Sequence, residues 1–392
     1  MDVMERLRPE SYDEAARVLN EAAARGNVAI VGGGSREAWF PPAREPVAVL
    51  ESSALRGIVR YTPADLTICA RAGTPLAELG EVLGRERQRL PLDPWPQGSV
   101  GGVIASNDNG PLRTRWGGVR DMLIGVRVAL PNGQVVRFGG DVVKNVAGYD
   151  LTKGYVGSAG AFGLIVEATF KVQPQPVRSA CAALSGTLEG LGAAWRALRE
   201  RALPFAALEV VRDQSRWRLY ALAEGDEVVV ERLLRECMEA ARSAGCTLEQ
   251  AACSDVVEWA HKPAAASVWL RIGVPPARTA DVLRALPQEL AAIARPWVGI
   301  VDVCGDALDA ATAELILRRA LDAHGHAHLR RAPSALRLQL GWWRMERGGG
   351  GAALFPMLKN ALDPGHCCNT GRTVYDCTGP GAAASPQRAA DI

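Results

Sequence analysis

Glycine placement carries the most chemical information in this chain. Residues 28–31, Val-Ala-Ile-Val, run straight into Gly32-Gly33-Gly34-Ser35. Consecutive glycines permit positive φ and let backbone N–H groups approach a bulky oxyanion, and the Ser35 hydroxyl adds a donor. The run has the outline of a phosphate cradle, although a lone glycine triplet is more often a tight turn. This one is accompanied. Residues 91–94, Pro-Leu-Asp-Pro, lead to a second glycine loop, Gly98-Ser99-Val100-Gly101-Gly102. Gly157-Ser158-Ala159-Gly160-Ala161-Phe162-Gly163 supplies a third.

Two other groups of residues invite a metal. His324, His326 and His328 alternate, and on a strand they would share one face. The segment reads His326-Ala327-His328-Leu329-Arg330-Arg331 and offers no carboxylate to orient the imidazoles, so no metal is assigned. His366-Cys367-Cys368 with Cys377 suggests zinc or iron–sulfur, but neighbouring cysteines cannot readily face one ion, and burial beneath the N-terminal domain is expected instead. No residue is assigned a catalytic role.

The elements that must position these residues can be read from pattern. Ser11-Tyr12-Asp13-Glu14 has capping-box spacing before an apolar face of Ala15, Val18, Leu19 and Ala22, and Gly26 stops that helix. Short strands are expected at 28–31 and 47–50, with alternation continuing to residue 72. A helix begins at Thr74-Pro75, threonine as cap, and Gly84 ends it. Asn132-Gly133 predicts a hairpin between strands at 122–130 and 134–138. Past residue 176 glycine thins, which marks a domain border. Beyond it, strands are expected at 207–211, 217–222, 267–274 and 297–304. Helices are expected at 188–201, 227–244, 277–293 and 308–323, giving a sheet covered on one face. Residues 348–351, four glycines, read as a flexible connection, and 352–362 as a last helix.

Composition narrows the function classes. At 392 residues, with 48% hydrophobic and 22% charged, the chain has room for two or three packed units. The 45 basic and 43 acidic side chains leave a net charge of +2, so neither nucleic acid nor an anionic membrane is favoured as a partner. No apolar run reaches the ~20 residues of a membrane helix and the amino terminus lacks a signal-peptide core, so a cytoplasmic address is expected. Nine cysteines with no CxxC pair read as reduced, mostly buried thiols.

The order and spacing of the three loops resemble the FAD-binding domain of the vanillyl-alcohol oxidase and p-cresol methylhydroxylase class of flavoproteins. A narrower resemblance, to the E-subunit family of bacterial glycolate oxidases, rests on the stretch from Arg120 through Gly139-Gly140 and Val143-Lys144-Asn145-Val146-Ala147-Gly148-Tyr149-Asp150-Leu151 to Pro176. Gly325-His326-Ala327 and Leu362-Asp363-Pro364-Gly365-His366-Cys367-Cys368-Asn369-Thr370-Gly371-Arg372 add to it, the latter with Thr370 where the family has proline.

The resemblance implies an α+β fold. It comprises a FAD-binding domain of two α/β subdomains over 1–176 and an α+β cap with an antiparallel or mixed sheet over 177–347. A segment at 348–378 returns to the first domain, and the tail at 379–392, rich in Ala, Gly and Pro, is expected from its composition to be disordered. It implies FAD contacts at Gly32, Gly33, Gly34, Ser35 and Arg36; at Pro94, Ser99, Val100, Gly101, Gly102, Ala105 and Asn107; at Gly157, Gly160, Gly163 and Ile165; and at Arg372. Arg36 either meets the diphosphate or is a solvated surface arginine, and Arg372 either pairs a carboxylate or reaches a flavin carbonyl. Lys144, Asn145, Tyr149 and Asp150 are expected near the cofactor. No histidine precedes His261, so FAD is expected to be noncovalent. The implied role is a subunit oxidising glycolate or a similar 2-hydroxy acid. Its implied partners are a homologous metal-bearing D-type subunit and an iron–sulfur F-type subunit, through which it could sit at the inner face of the membrane. A self-sufficient dehydrogenase and a non-catalytic assembly subunit are the alternatives.

Overall fold

The computed structural model describes residues 4–95, 98–141, 150–213, 216–345 and 350–373. The chain divides into two compact units. One holds residues 1–108, 118–175 and 347–392, the other residues 109–117 and 176–346.

The first unit opens with β1 (Glu5–Leu7), α1 (Tyr12–Ala23), β2 (Val28–Val31) and β3 (Ala48–Glu51), with both outer strands parallel to a central β3. Ser11 caps α1 by accepting from the Glu14 N–H at 3.2 Å, while the Glu14 carboxylate accepts from Glu10 N–H at 2.9 Å. Ala15, Ala16, Leu19 and Ala22 bury the inner face of the helix in a core shared with β2 and with residues of the second sheet, Ala129, Leu164 and Val166.

A second sheet is wholly antiparallel, in the order β4 (Ile58–Thr62), β5 (Thr67–Arg71), β9 (Leu164–Lys171), β7 (Leu123–Ala129), β8 (Val135–Gly139). Central β9 is buried along almost its whole length. The β7–β8 hairpin closes where the sequence predicts. Leu130 N–H reaches Gln134 O at 2.8 Å, and Gly133 takes φ +84° as the left-handed residue of a three-residue loop. Two residues each of β6 (Gln88–Arg89) and β10 (Gln173–Pro174) pair separately.

The helix α2 (Leu76–Arg85) differs from expectation at its cap. Pro75 is the N-cap, because the Thr74 hydroxyl is committed to Gly57, donating to its carbonyl at 3.2 Å and accepting from its N–H at 2.9 Å. The helix α3 (Val100–Ser106) follows, then the one-turn helices α4 (Arg113–Trp116), α5 (Val119–Met122) and α6 (Thr152–Tyr155).

In the second unit a nine-stranded antiparallel sheet has the order β14 (Thr247–Ala251), β11 (Arg178–Gly186), β13 (Arg216–Gly225), β12 (Ala207–Asp213), β16 (Ala291–Arg295), β17 (Ile300–Gly305), β15 (Val268–Gly273), β18 (His326–Arg331), β19 (Trp343–Met345). Against one face pack α7 (Leu188–Glu200), α8 (Glu227–Ser243), α10 (Thr279–Arg284), α11 (Ala310–Asp322) and α12 (Ser334–Leu340). The opposite face is also covered in part. There α9 (Cys253–Ala265) sets Val256 and Trp259 against Val211, Tyr220, Leu222 and Ile293, which corrects the one-sided arrangement. The helix expected at 277–293 is likewise two elements. It stops at Arg284, Pro287 cannot continue it, and β16 begins at Ala291. The excursion 109–117 joins this unit, Arg115 Nη1 donating to Glu224 O at 3.0 Å.

The last helix, α13 (Gly350–Leu362), brings the chain back to the first unit. Gly350 and Gly351 are helical rather than part of a connector, while 348, 349 and the tail from 374 lie outside the described residues.

Candidate functional site

Three glycine loops meet in the first unit. The end of β2 delivers Gly32 so close to the second loop that a Cβ there would stand 3.0 Å from Ser99 Oγ. A Cβ on Gly160, whose φ is +76°, would lie 3.3 Å from Ile30 Cβ. Between them opens a cleft whose floor is the carboxyl end of β2 and the start of β9.

Thirteen expected residues line the cleft: Gly32, Gly33, Gly34, Ser35, Arg36, Ser99, Gly101, Gly102, Ala105, Gly160, Gly163, Ile165 and Arg372. Four do not. Val100 turns its side chain into the core, Asn107 is the left-handed C-cap of α3, Gly157 packs beside Asn107, and Pro94 is buried away from the lining. The lining also includes Ile30, Val31, Glu37, Phe40, Ser52, Ser106, Ala159 and Leu164, which carry no glycine signal. Ile30, Val31 and Leu164 were legible only as strand ends flanking a loop. Ser52 follows β3 and has no local signature.

The loops differ in what their amides do. Val100 and Gly101 N–H donate to Thr74 O and Ala72 O at 2.9 and 2.8 Å, and Gly102 N–H reaches Ser99 Oγ at 3.4 Å. Gly157 and Ala159 N–H donate to Ile104 O and Ala105 O, each at 2.9 Å. The second and third loops are thereby locked to each other and present bare surface. Among the described residues none accepts from the N–H of Gly33, Gly34 or Ser35. Gly33 also has open space where a Cβ would be, and Gly34 takes φ +76°. Unspent amides in an open, side-chain-free turn suit an anionic ligand.

Charge behind the first loop is held in place. Arg36, 5% exposed, donates Nε and Nη2 to Asp108 Oδ2 at 3.1 and 3.0 Å and Nη1 to Ser35 Oγ at 3.0 Å. It is therefore not a solvated surface arginine. Gly98 makes room for it, since a Cβ there would come within 2.2 Å of Arg36 Nη1. Arg372 donates Nε to Pro41 O at 3.0 Å and lies 3.4 Å from Glu37 Oε1. Burial lowers the pKa of that guanidinium, and Glu37 opposes the shift.

The closing segment is bolted beneath the cleft. Lys359 Nζ, fully buried, donates to Ala161 O and Cys368 O, each at 2.7 Å, and pairs with Asp363 Oδ2 at 2.8 Å. Asp363 in turn accepts from the N–H groups of Cys367 and Cys368 at 3.0 and 2.8 Å. Both cysteines are buried in the first unit's core. Asp363, Cys367 and Cys368 lie close enough to share an ion, but the Lys359 ammonium already neutralises the carboxylate. Thr370, which replaces the resembled family's proline, uses its N–H on Asn27 Oδ1 at 3.1 Å, a bond proline cannot make.

The histidines do not converge as alternation predicts. His324 sits in a turn with φ +56°, ahead of β18, and only His326 and His328 belong to the strand. Asp150 is exposed and lies 3.4 Å from Lys153, outside the cleft lining, while Lys144, Asn145 and Tyr149 lie outside the described residues. Among the described residues no helix is long and apolar enough to cross a membrane.

Against known proteins, residues 6–139 match the FAD binding domain family. The chain carries a FAD-binding domain. Glycolate oxidase subunit GlcE of Escherichia coli (strain K12) is 38% identical over 176 residues, 43% of this chain and 49% of that subunit. The mitochondrial D-lactate dehydrogenase [cytochrome] of Arabidopsis thaliana is 33% identical over 176 residues, 44% of this chain and 31% of the relative. The FAD-binding chain thus spans half or less of the curated relatives it matches. Among solved structures, p-cresol methylhydroxylase with substrate bound superposes with a TM-score of 0.70 at 13% identity, covering 94% of this chain and 88% of that one. The fold is α+β and of the p-cresol methylhydroxylase type, and the FAD-binding chain's cofactor is FAD.

Proposed function

We propose that this chain is the FAD-binding subunit of a glycolate oxidase-like complex that oxidises glycolate or a similar 2-hydroxy acid to the 2-oxo acid. The observation that carries the reading is the meeting of three glycine loops on one cleft, the first with its amides unspent. Relatives named as a glycolate oxidase subunit and a D-lactate dehydrogenase support the substrate class.

In this reading the N–H groups of Gly33, Gly34 and Ser35 take the diphosphate, with Arg36, pinned by Asp108, supplying fixed positive charge behind them. Gly101, Gly102, Gly160 and Gly163 give close, side-chain-free walls, Ala105 adds only a methyl group, and Ile165 gives an apolar wall. Arg372 closes the cleft beside Glu37. Bound flavin would accept the two electrons of the hydroxy acid. Among the described residues that line the cleft none is placed as a base, and His324 lies outside β18, which holds His326 and His328. The reading therefore assigns substrate chemistry to the complex, with a metal-bearing D-type and an iron–sulfur F-type subunit as partners.

The test is purification of the tagged chain alone and after co-expression with those subunits, cofactor extraction, and anaerobic addition of glycolate. FAD is expected in both preparations, with bleaching only in the complex. Bleaching by the isolated chain would make it a self-sufficient dehydrogenase. A colourless chain that releases no FAD would overturn the reading.

A further inference from the structure

We propose that a second cavity, on the face of the five-stranded sheet away from its buried side, binds a small polyanion carrying three or more negative charges, such as a polyphosphate or a tricarboxylate. It offers about 660 Å³ between β4, β5, β7, β8, β9 and the start of α1, and shares no lining residue with the glycine-loop cleft. Among the described residues five arginines line it, Arg56, Arg60, Arg71, Arg127 and Arg137, against two carboxylates, Asp141 and Glu167.

Those carboxylates are stretched thin. Asp141 is shared between Arg60, at 2.6 Å, and Arg137. Glu167, 6% exposed, lies 3.6 Å from Arg127 and spends its other oxygen on the Tyr12 hydroxyl at 2.8 Å. Arg71 and Arg127 stand on the Tyr12 ring, 5.5 and 5.4 Å from its centroid, a contact that neutralises neither. Arg56 reaches only Glu78 on α2, at 3.7 Å and outside the cavity. With Glu78 offsetting Arg56, two positive charges remain in excess among the described residues of one concavity, and concave walls concentrate the resulting field. A chain whose net charge is only +2 has gathered them in one place. Guanidinium forks match both phosphate and carboxylate, and the aromatic ring keeps two of them preoriented.

The proposal is independent of the flavin reading. Titration calorimetry of the purified full chain with inorganic triphosphate and, separately, citrate at low ionic strength tests it. Saturable binding to at least one is expected, and which anion binds tells the phosphate source from the carboxylate source. Arg71→Gln and Arg127→Gln should each weaken binding about tenfold, and Asp141→Asn, which frees two guanidiniums, should tighten it by about threefold. Arg17→Gln, an exposed arginine on α1 paired with Glu21, should leave affinity unchanged. Far-UV circular dichroism and the urea midpoint are measured for every variant so that a folding defect is recognised. Absence of binding by both anions to wild-type chain, or equal affinity in the Arg71, Arg127 and Arg17 variants, would overturn it.

Discussion

Asn369 holds Ile30 by both of its backbone groups. Its Oδ1 accepts from Ile30 N–H at 2.8 Å and its Nδ2 donates to Ile30 O at 2.8 Å, while the same Nδ2 reaches Ala159 O at 2.7 Å. One buried carboxamide from the end of the chain therefore fixes the strand that delivers the first glycine loop and the loop that faces it. Asn369 sits at φ +48°, a conformation asparagine tolerates better than alanine does. Asn369→Ala strands three buried backbone groups and is expected to cost about 3 kcal/mol or more. Chemical denaturation should show the loss, and retention of full stability would contradict the staple.

Two glycines separate folding from cofactor binding. Gly160→Ala places a Cβ within 2.6 Å of Asn369 Nδ2 at a φ of +76°, so both stability and flavin content should fall. Gly33→Ala meets nothing within 4 Å. Its stability without cofactor should stay within about 0.5 kcal/mol of wild type, while FAD affinity drops because a methyl group now lies over the amides. Equal FAD affinity in Gly33→Ala and wild type would remove the first loop from the site.

The Arg36–Asp108 pair is nearly fully buried, its side chains 5% and 2% exposed. Asp108→Ala leaves a guanidinium without its carboxylate and is expected to destabilise by about 3 kcal/mol or more. The double change Arg36→Met with Asp108→Leu removes both charges and should recover part of that loss, as read by a double-mutant cycle in urea.

Acid sensitivity should appear in the second unit. Burial alone would raise the Asp302 carboxyl, but Arg271 at 2.7 Å and Arg295 at 3.3 Å outweigh it and hold the pKa at about 2 rather than 3.8. A folded-state pKa below the unfolded one stabilises the native state above the unfolded value, and the contribution disappears as pH falls from about 4 to about 2. Unfolding free energies of wild type and Asp302→Asn from urea titrations should differ at pH 6 by about 2 kcal/mol and converge toward pH 2. A gap independent of pH would reject the assignment.

Much of the local structure was already legible in residue order. Ser11 and the spacing of Ala15, Leu19 and Ala22 define α1, and Asn132-Gly133 defines a hairpin, because capping, periodicity and left-handed φ are local effects. The glycine loops likewise announced themselves by what they lack. Misreadings arose where a distant partner decided the outcome. Thr74 caps nothing because Gly57, remote in sequence, takes its hydroxyl, and 291–295 is a strand because neighbours on both sides offer it a ladder.

From the sequence alone came the three bare loops, the matching order of a flavin domain and the lack of any histidine before His261, since composition and spacing are properties of the chain itself. Only tertiary structure could decide which of those amides remain unspent, that Arg36 faces Asp108, that Asn369 bridges two loops, and that five arginines crowd one sheet face. Each of these depends on residues far apart in the chain meeting across a packed core, where the cost of leaving a buried polar group unpaired selects one partner among many.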